Sequence, residues 1–267
     1  MLQALKAPEA PEAPERPKGR SPRFSISRQT RAFRREFFPG ADDHSWNDWK
    51  WQLRNSLRGL EALQRVLHLS DDERAALQRN RNSLPNSITP YYASLLNRSD
   101  ASDPLRRTMV MASQEFERTP EESIDPLHED DDSPVPGLVH RYPDRLLFLT
   151  TGTCPVYCRY CTRSRVVGSH DGTYEFSTNQ WQGAIDYIAR TPVIRDVLLS
   201  GGDPLILSDD RLEWLLSRLR KIKHVEFLRI GSKVPVVLPQ RVTPALVKML
   251  KKYHPLWMSI HFIHPSE

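Results

Sequence analysis

Apolar residues along the chain follow two rhythms, and the change between them falls near residue 146. In "SWNDWKWQLRNSLRGLEALQRVLHL" the positions Trp46, Trp49, Leu53, Leu57, Leu60, Leu63 and Leu67 recur at three- and four-residue spacing, one face of a helix. Ser45 stands where an N-cap would, and Ser70 with Glu73 in "SDDERAAL" has the spacing of a capping box that opens a second helix. "SITPYYASLL" and "DPLRRTMVMASQEFE" carry the helical pattern to about residue 117. The spacing predicts an all-helical N-terminal domain over residues 41–125, with its tryptophans in the core.

Beyond residue 146 short apolar runs alternate with amphipathic ones. "LLFLT", "DVLLS", "VEFLRI" and "LWMSIHF" read as strands; "NQWQGAIDYIAR", "SDDRLEWLLSRLRKI" and "TPALVKMLKKY" read as helices, the last with Thr243 as cap and Pro244 in its first turn. Repeated βα units with apolar strands predict a parallel sheet with helices outside it, an α/β class. In such barrels the ligand-binding residues lie at the C-terminal ends of the strands. A cysteine cluster, "SGGDP", "RIGSK" and "HFIHP" follow the four strands in turn, so four loops converge on one face. Residues 146–267 are thus expected to form a partial (β/α) barrel.

The remaining segments are polar. Residues 1–40 hold "APEAPEAPE" and then an arginine-rich stretch, a composition expected to form a disordered arm. Glu9, Glu12 and Glu15 argue against a transit peptide, and no apolar h-region or membrane-length apolar run is present. "DPLHEDDDSPVPGLVHRYPDR" is a proline-rich acidic connector over residues 126–145. Its carboxylates with His128 and His140 could suggest a metal, but the prolines and the run of like charge predict a solvated loop. Net charge is +5, carried mainly by arginine. Without a basic stripe interleaved with aromatics, nucleic acid is not the expected partner. An arginine bias suits small phosphates and carboxylates, which a guanidinium grips bidentately.

All three cysteines, Cys154, Cys158 and Cys161, fall within eight residues as C-x3-C-x2-C. An odd count in one tight group argues for a reducing, cytoplasmic setting rather than disulfides. Soft thiolates at this spacing suit zinc or an iron–sulfur cluster. Zinc would need a fourth ligand and usually uses paired C-x2-C knuckles. A cubane held by three thiolates leaves one iron open to a small molecule.

The cysteine spacing after the first strand, with aromatic Tyr160 before the third cysteine, resembles the radical S-adenosylmethionine superfamily. The resemblance implies that Cys154, Cys158 and Cys161 hold a [4Fe–4S] cluster whose fourth iron is chelated by the amine and carboxylate of S-adenosylmethionine. It implies that Tyr160 packs on the adenine side and that Gly201, Gly202 and Asp203 of "GGDP" line the methionyl ammonium, with the glycines allowing close approach of the main chain. "WNDWKWQLRN", "ITPYY", "DPLHEDDDSPVPGLVHRYPDR", "YCRYCTRSR", "RDVLLSGGDPL", "RIGSKVPVVLPQRVTP" and "HFIHPSE" further resemble the lysine 2,3-aminomutase family, from about residue 45 onward. That family moves the α-amino group of an amino acid to the β-carbon, through a 5'-deoxyadenosyl radical and an imine of pyridoxal 5'-phosphate. By this resemblance Arg141, Tyr142 and Arg145 contact pyridoxal phosphate, Arg163 grips the substrate carboxylate, and His261 lies near S-adenosylmethionine.

The substrate class implied is lysine, or arginine or glutamate as in sister enzymes. The implied partners are an electron donor such as flavodoxin or ferredoxin and a second copy of the chain, with neither nucleic acid nor membrane. Tyr160 departs from the histidine common in the family. The family's pyridoxal lysine, its acids for the distal amine and a zinc-binding cysteine cluster lie beyond Glu267, so the chain is expected to be truncated and inactive alone. Lys221, Lys223, Lys248, Lys251 and Lys252 fall on outer helices and Lys233 in a loop, so none is expected to form the internal imine. Two other readings compete: the lysine-aminomutase-like enzyme of elongation factor P modification, which lacks the "WNDWKWQLRN" domain, and a non-catalytic iron–sulfur or zinc-binding module. Metal analysis separates the module from the enzymes.

Overall fold

A computed structural model describes residues 26–80, 84–168 and 175–267. The arm expected to be disordered to residue 40 is helical in its described part: α1, Arg28–Phe37, starts where the Ser27 hydroxyl accepts from the Thr30 amide. Thr30 and Phe33 are buried on its inner side, and Gln29 Nε2 donates to the Ser94 carbonyl at 2.8 Å. Arginine-rich composition masks the few residues that dock this helix. The "APEAPEAPE" repeat lies outside the described residues.

The long helix expected from residue 45 is broken into pieces: α2 (Asp43–Asn47), α3 (Trp49–Arg54), strand β1 (Leu57–Arg58) and α4 (Gly59–Gln64). Asp42 and Asp48 cap the two helices; Ser45 is not a cap but the residue whose amide Asp42 binds. Gly59 sits at φ +68°, a left-handed conformation that helps turn the chain out of β1. β1 pairs antiparallel with β2, Ser87–Ile88, so this half is not purely helical. Trp46, Leu57, Leu63 and Leu67 are nevertheless buried, so the apolar spacing marked the core even where it misnamed the element. The Ser70–Glu73 capping box is present and opens α5, Asp71–Arg79. Two short helices follow, α6 (Pro90–Ala93) and α7 (Pro104–Arg107).

The second half is an α/β unit on a five-stranded sheet: β3 (Leu138–Tyr142), β4 (Arg145–Thr151), β5 (Asp196–Gly201), β6 (Phe227–Ser232) and β7 (Leu256–Ile260), in that spatial order. β3 and β4 form an antiparallel hairpin and the later pairs are parallel. Each later strand is reached through a helix: α8 (Thr178–Arg190), α9 (Asp209–Leu219), and α10 (Val234–Val237) followed by α11 (Pro244–Leu250). β3 lies in the segment read as a solvated connector, a reading the structure corrects. Its "LVHRY" pairs with β4, and Glu129 upstream is buried.

Alternation divides the strands between two faces. Phe148, Leu199, Leu228 and Ile230 share one apolar core with Trp181, Ile185, Leu212 and Leu246 of the helices. The opposite face carries the register row Leu147, Leu198, Arg229, Trp257. On the edge strand Trp257, Met258 and Ile260 are exposed.

Candidate active site

The three cysteines lie on the loop leaving β4. Successive turns form it: the Cys161 amide donates to the Cys158 carbonyl at 3.2 Å, and the Val167 amide to the Arg163 carbonyl at 2.8 Å. Arg159, between two cysteines, anchors the loop to the N-terminal half. Its guanidinium donates to the Pro85 carbonyl at 2.9 Å and pairs with Glu115 at 2.5 Å, while its amide donates to the Thr108 carbonyl at 2.9 Å. All three thiols are free and partly exposed. Burial pushes each thiol above its ordinary pKa, and at Cys154 the neighbouring Asp203 adds to the effect.

The "SGGDP" loop is pressed against this one. Gly201 has φ +116°, open to glycine alone, and a Cβ there would lie 2.5 Å from the Thr151 carbonyl. A Cβ on Gly202 would come within 2.7 Å of the backbone N and C of Thr153, next to Cys154, and closer still to its oxygen. The space at these glycines is therefore taken by the chain itself. Asp203 is buried, and its carboxylate accepts from Leu205 N (3.1 Å), Ser232 Oγ (2.8 Å), Lys233 N (2.8 Å) and Val234 N (3.0 Å). Its acceptor positions are filled by protein donors, so the side chain staples the loops after β5 and β6 together and has none left for a ligand. Burial raises its carboxyl pKa against the pull of those hydrogen bonds.

Arg141, Tyr142, Arg145 and Arg163 line one cavity of about 210 Å³, together with Glu129 and Arg229. Arg141 Nε donates to Asp132 at 2.6 Å and Arg145 Nε to Asp144 at 2.9 Å. Arg163 faces Glu129, donating from Nε at 3.0 Å and Nη2 at 2.7 Å. The acids of the connector are thus latched by arginines from the cysteine loop: Arg165 also pairs with Asp125 at 3.1 Å and Asp130 at 3.0 Å. His140 turns away from the acidic run to the Tyr187 hydroxyl at 2.8 Å.

Residues 148–267 match the radical SAM superfamily. The match covers somewhat less than half of the chain. It is 52% identical to an L-lysine 2,3-aminomutase from Acetoanaerobium sticklandii and 50% identical to one from Clostridium subterminale, across 87% and 88% of this chain. A glutamate 2,3-aminomutase from Clostridioides difficile is 39% identical across 84%. The matches span 56%, 56% and 53% of those relatives, so the chain covers little more than half of their length.

Radical SAM proteins use a [4Fe–4S] cluster and S-adenosylmethionine, and the cysteine loop fits the first. Three partly exposed thiols on one loop at a strand end are a soft donor set of the kind that holds iron. Among the described residues no three His, Cys, Asp or Glu side chains are grouped to hold a single metal ion. Thiolates on different irons of a cubane need not converge on one point.

Around the cysteine loop the ring of Tyr160 meets that of His261 edge-on, with centroids 5.8 Å apart. Burial, and then the charge of Lys233, lowers the His261 pKa. Lys233, in the loop after β6 as expected, is buried. It pairs with Glu267 at 2.5 Å and donates to the His261 carbonyl at 3.3 Å, while the Tyr92 hydroxyl donates to the same Glu267. Sequence reasoning missed Glu129, Arg159, Lys233 and Glu267. Each acts through a partner more than thirty residues away, and only the position of Arg159 between two cysteines offered a local sign.

Proposed function

We propose that this chain is the radical-generating part of an amino-acid 2,3-aminomutase, with its phosphate- and carboxylate-binding arginines; such an isomerase moves the α-amino group of L-lysine or a related α-amino acid to its β-carbon. One observation carries the reading. Arg163, two residues from Cys161, reaches into the same cavity as Arg141, Tyr142 and Arg145. The arginine proposed to grip the carboxylate thus shares its cavity with the groups proposed to bind phosphate, and it stands two residues from a proposed cluster ligand.

When bound, the cluster with S-adenosylmethionine supplies a one-electron cleavage and pyridoxal phosphate supplies the carbonyl partner of the migrating amine. Cys154, Cys158 and Cys161 would hold the cluster. The main chain of Gly201 and Gly202 and the rings of Tyr160 and His261 border the space beside it. Arg141 and Arg145 would neutralise a phosphate, with Tyr142 as a hydroxyl donor, and Arg163 would fix the substrate by its α-carboxylate. In this reading the curved sheet is part of a (β/α) barrel, the reductant is a small electron-transfer protein such as flavodoxin or ferredoxin, and copies of the chain assemble through the N-terminal half.

Anaerobic reconstitution tests the core of the proposal. The chain should take up about four irons with sulfide, as a cubane requires, and S-adenosylmethionine should alter the electron paramagnetic resonance spectrum of the reduced cluster. Cys158→Ala should lose both. Zinc without sulfide in the reconstituted protein would instead favour the non-catalytic module.

A further inference from the structure

We propose that Glu129 is the positioning residue that aims Arg163 at its substrate, an inference resting on the reading of Arg163 as the carboxylate-gripping arginine. Glu129 comes from an acidic run that composition assigns to solvent, yet its side chain is 5% exposed. It takes Arg163 from the side: Nε donates at 3.0 Å to each carboxylate oxygen and Nη2 at 2.7 Å to Oε1. A guanidinium has two edges able to bind a carboxylate bidentately, Nε with Nη2 and Nη1 with Nη2. Glu129 occupies the first. Among the described residues Nη1 makes no hydrogen bond to protein, which leaves the second edge for the α-carboxylate of an amino acid.

Glu129 is itself held from behind. Arg165, whose side chain is 8% exposed, lies 3.7 Å from its Oε2 and is fastened to Asp125 and Asp130. Three acids and two arginines therefore form a rigid bracket between the connector and the cysteine loop. An arginine has many rotamers, and ordering it costs affinity if substrate has to do it. Here folding does it beforehand, so the guanidinium presents a fixed fork to the cavity that Arg141, Tyr142 and Arg145 also line.

Two stable probes separate this role from general packing: N-(5'-phosphopyridoxyl)-L-lysine and N-(5'-phosphopyridoxyl)-1,5-diaminopentane, which share phosphate, ring and amine and differ only in the α-carboxylate. Their affinities for the cluster-reconstituted full chain are measured by titration calorimetry. The wild-type chain should prefer the carboxylate probe by about tenfold or more, a difference of about 1.4 kcal/mol. Arg163→Gln should abolish the preference. Glu129→Gln should lower it toward unity while leaving affinity for the diamine probe unchanged, and Glu129→Asp should lower it less. A wild-type preference in both Glu129 variants, with loss in Arg163→Gln, overturns the positioning role and leaves the function of Arg163 standing. Equal weakening of both probes by Glu129→Gln also overturns it, as a purely structural effect. Absence of any preference in the wild-type chain, or its survival in Arg163→Gln, removes the carboxylate seat and this inference together.

Discussion

Gly202 and Asp203 illustrate how adjacent residues of one motif divide their work. The glycine is needed because Thr153, the residue before the first cysteine, leaves no room for a Cβ. The aspartate is needed because four donors from two segments converge on its carboxylate. Both hold the shape of the site from behind. Gly202→Ala should therefore destabilise the chain by about 1–3 kcal/mol, the usual cost of forcing an extra group into a packed position, because the obstructing atoms are backbone and cannot rotate away. Urea denaturation of the cluster-free chain is the measurement. Unchanged stability would show that the loop moves freely and that the glycine serves only a ligand.

Among the elements of the N-terminal half, α5 and α7 are joined by a buried ion pair rather than by apolar contact alone. Arg106 is fully buried, and all five of its side-chain N–H groups are used: two toward Glu73, two toward the carbonyls of Asn97 and Arg98, and one toward His68. Such a pair is strongly destabilising to break because the remaining partner keeps its buried charge. Arg106→Met should cost about 3–5 kcal/mol in equilibrium unfolding, by that same reasoning. A loss below about 1 kcal/mol would mean that Glu73 finds water when its partner is removed, against the low exposure seen here. The sequence disclosed the capping box that starts α5 but not this pair, whose members are 33 residues apart.

At the scale of the whole molecule, the two halves are stitched at several points. The Thr89 hydroxyl donates to the Val237 carbonyl at 2.7 Å, Arg159 grips the Pro85 carbonyl, and buried Arg241 lies under the Trp49 ring while donating to the Leu205 and Leu207 carbonyls. Buried polar bonds of this kind are lost together, so the halves should unfold in one transition. Tryptophans report on each side: Trp46, Trp49 and Trp51 in the N-terminal half, Trp181 and Trp214 on α8 and α9. Single-tryptophan variants retaining one side or the other should give coincident fluorescence midpoints in urea. Midpoints well apart would show independent domains and weaken the view that the N-terminal half supports the cysteine loop.

The sequence alone determined what depends on local spacing. Short apolar runs located β4, β5, β6 and β7, and three-to-four-residue spacing located α8, α9 and α11, because an amphipathic helix is defined by which neighbours share its face. Three cysteines in eight residues likewise marked a soft-metal loop, open between zinc and an iron–sulfur cluster. Tertiary structure decided the rest. It cut the first long helix at Asp48 and Leu57, where a side-chain cap and a strand partner from residue 88 outcompeted the helical spacing. It turned part of an apparently solvated acidic segment into strand β3 and the bracket around Glu129. It also filled the acceptors of Asp203 with protein donors and buried Lys233 against Glu267. Charge patterns along a chain report solvent exposure only until an opposite charge arrives from far away. Here the arginines that bury the connector's acids come from the cysteine loop more than thirty residues on, and that meeting exists only in three dimensions.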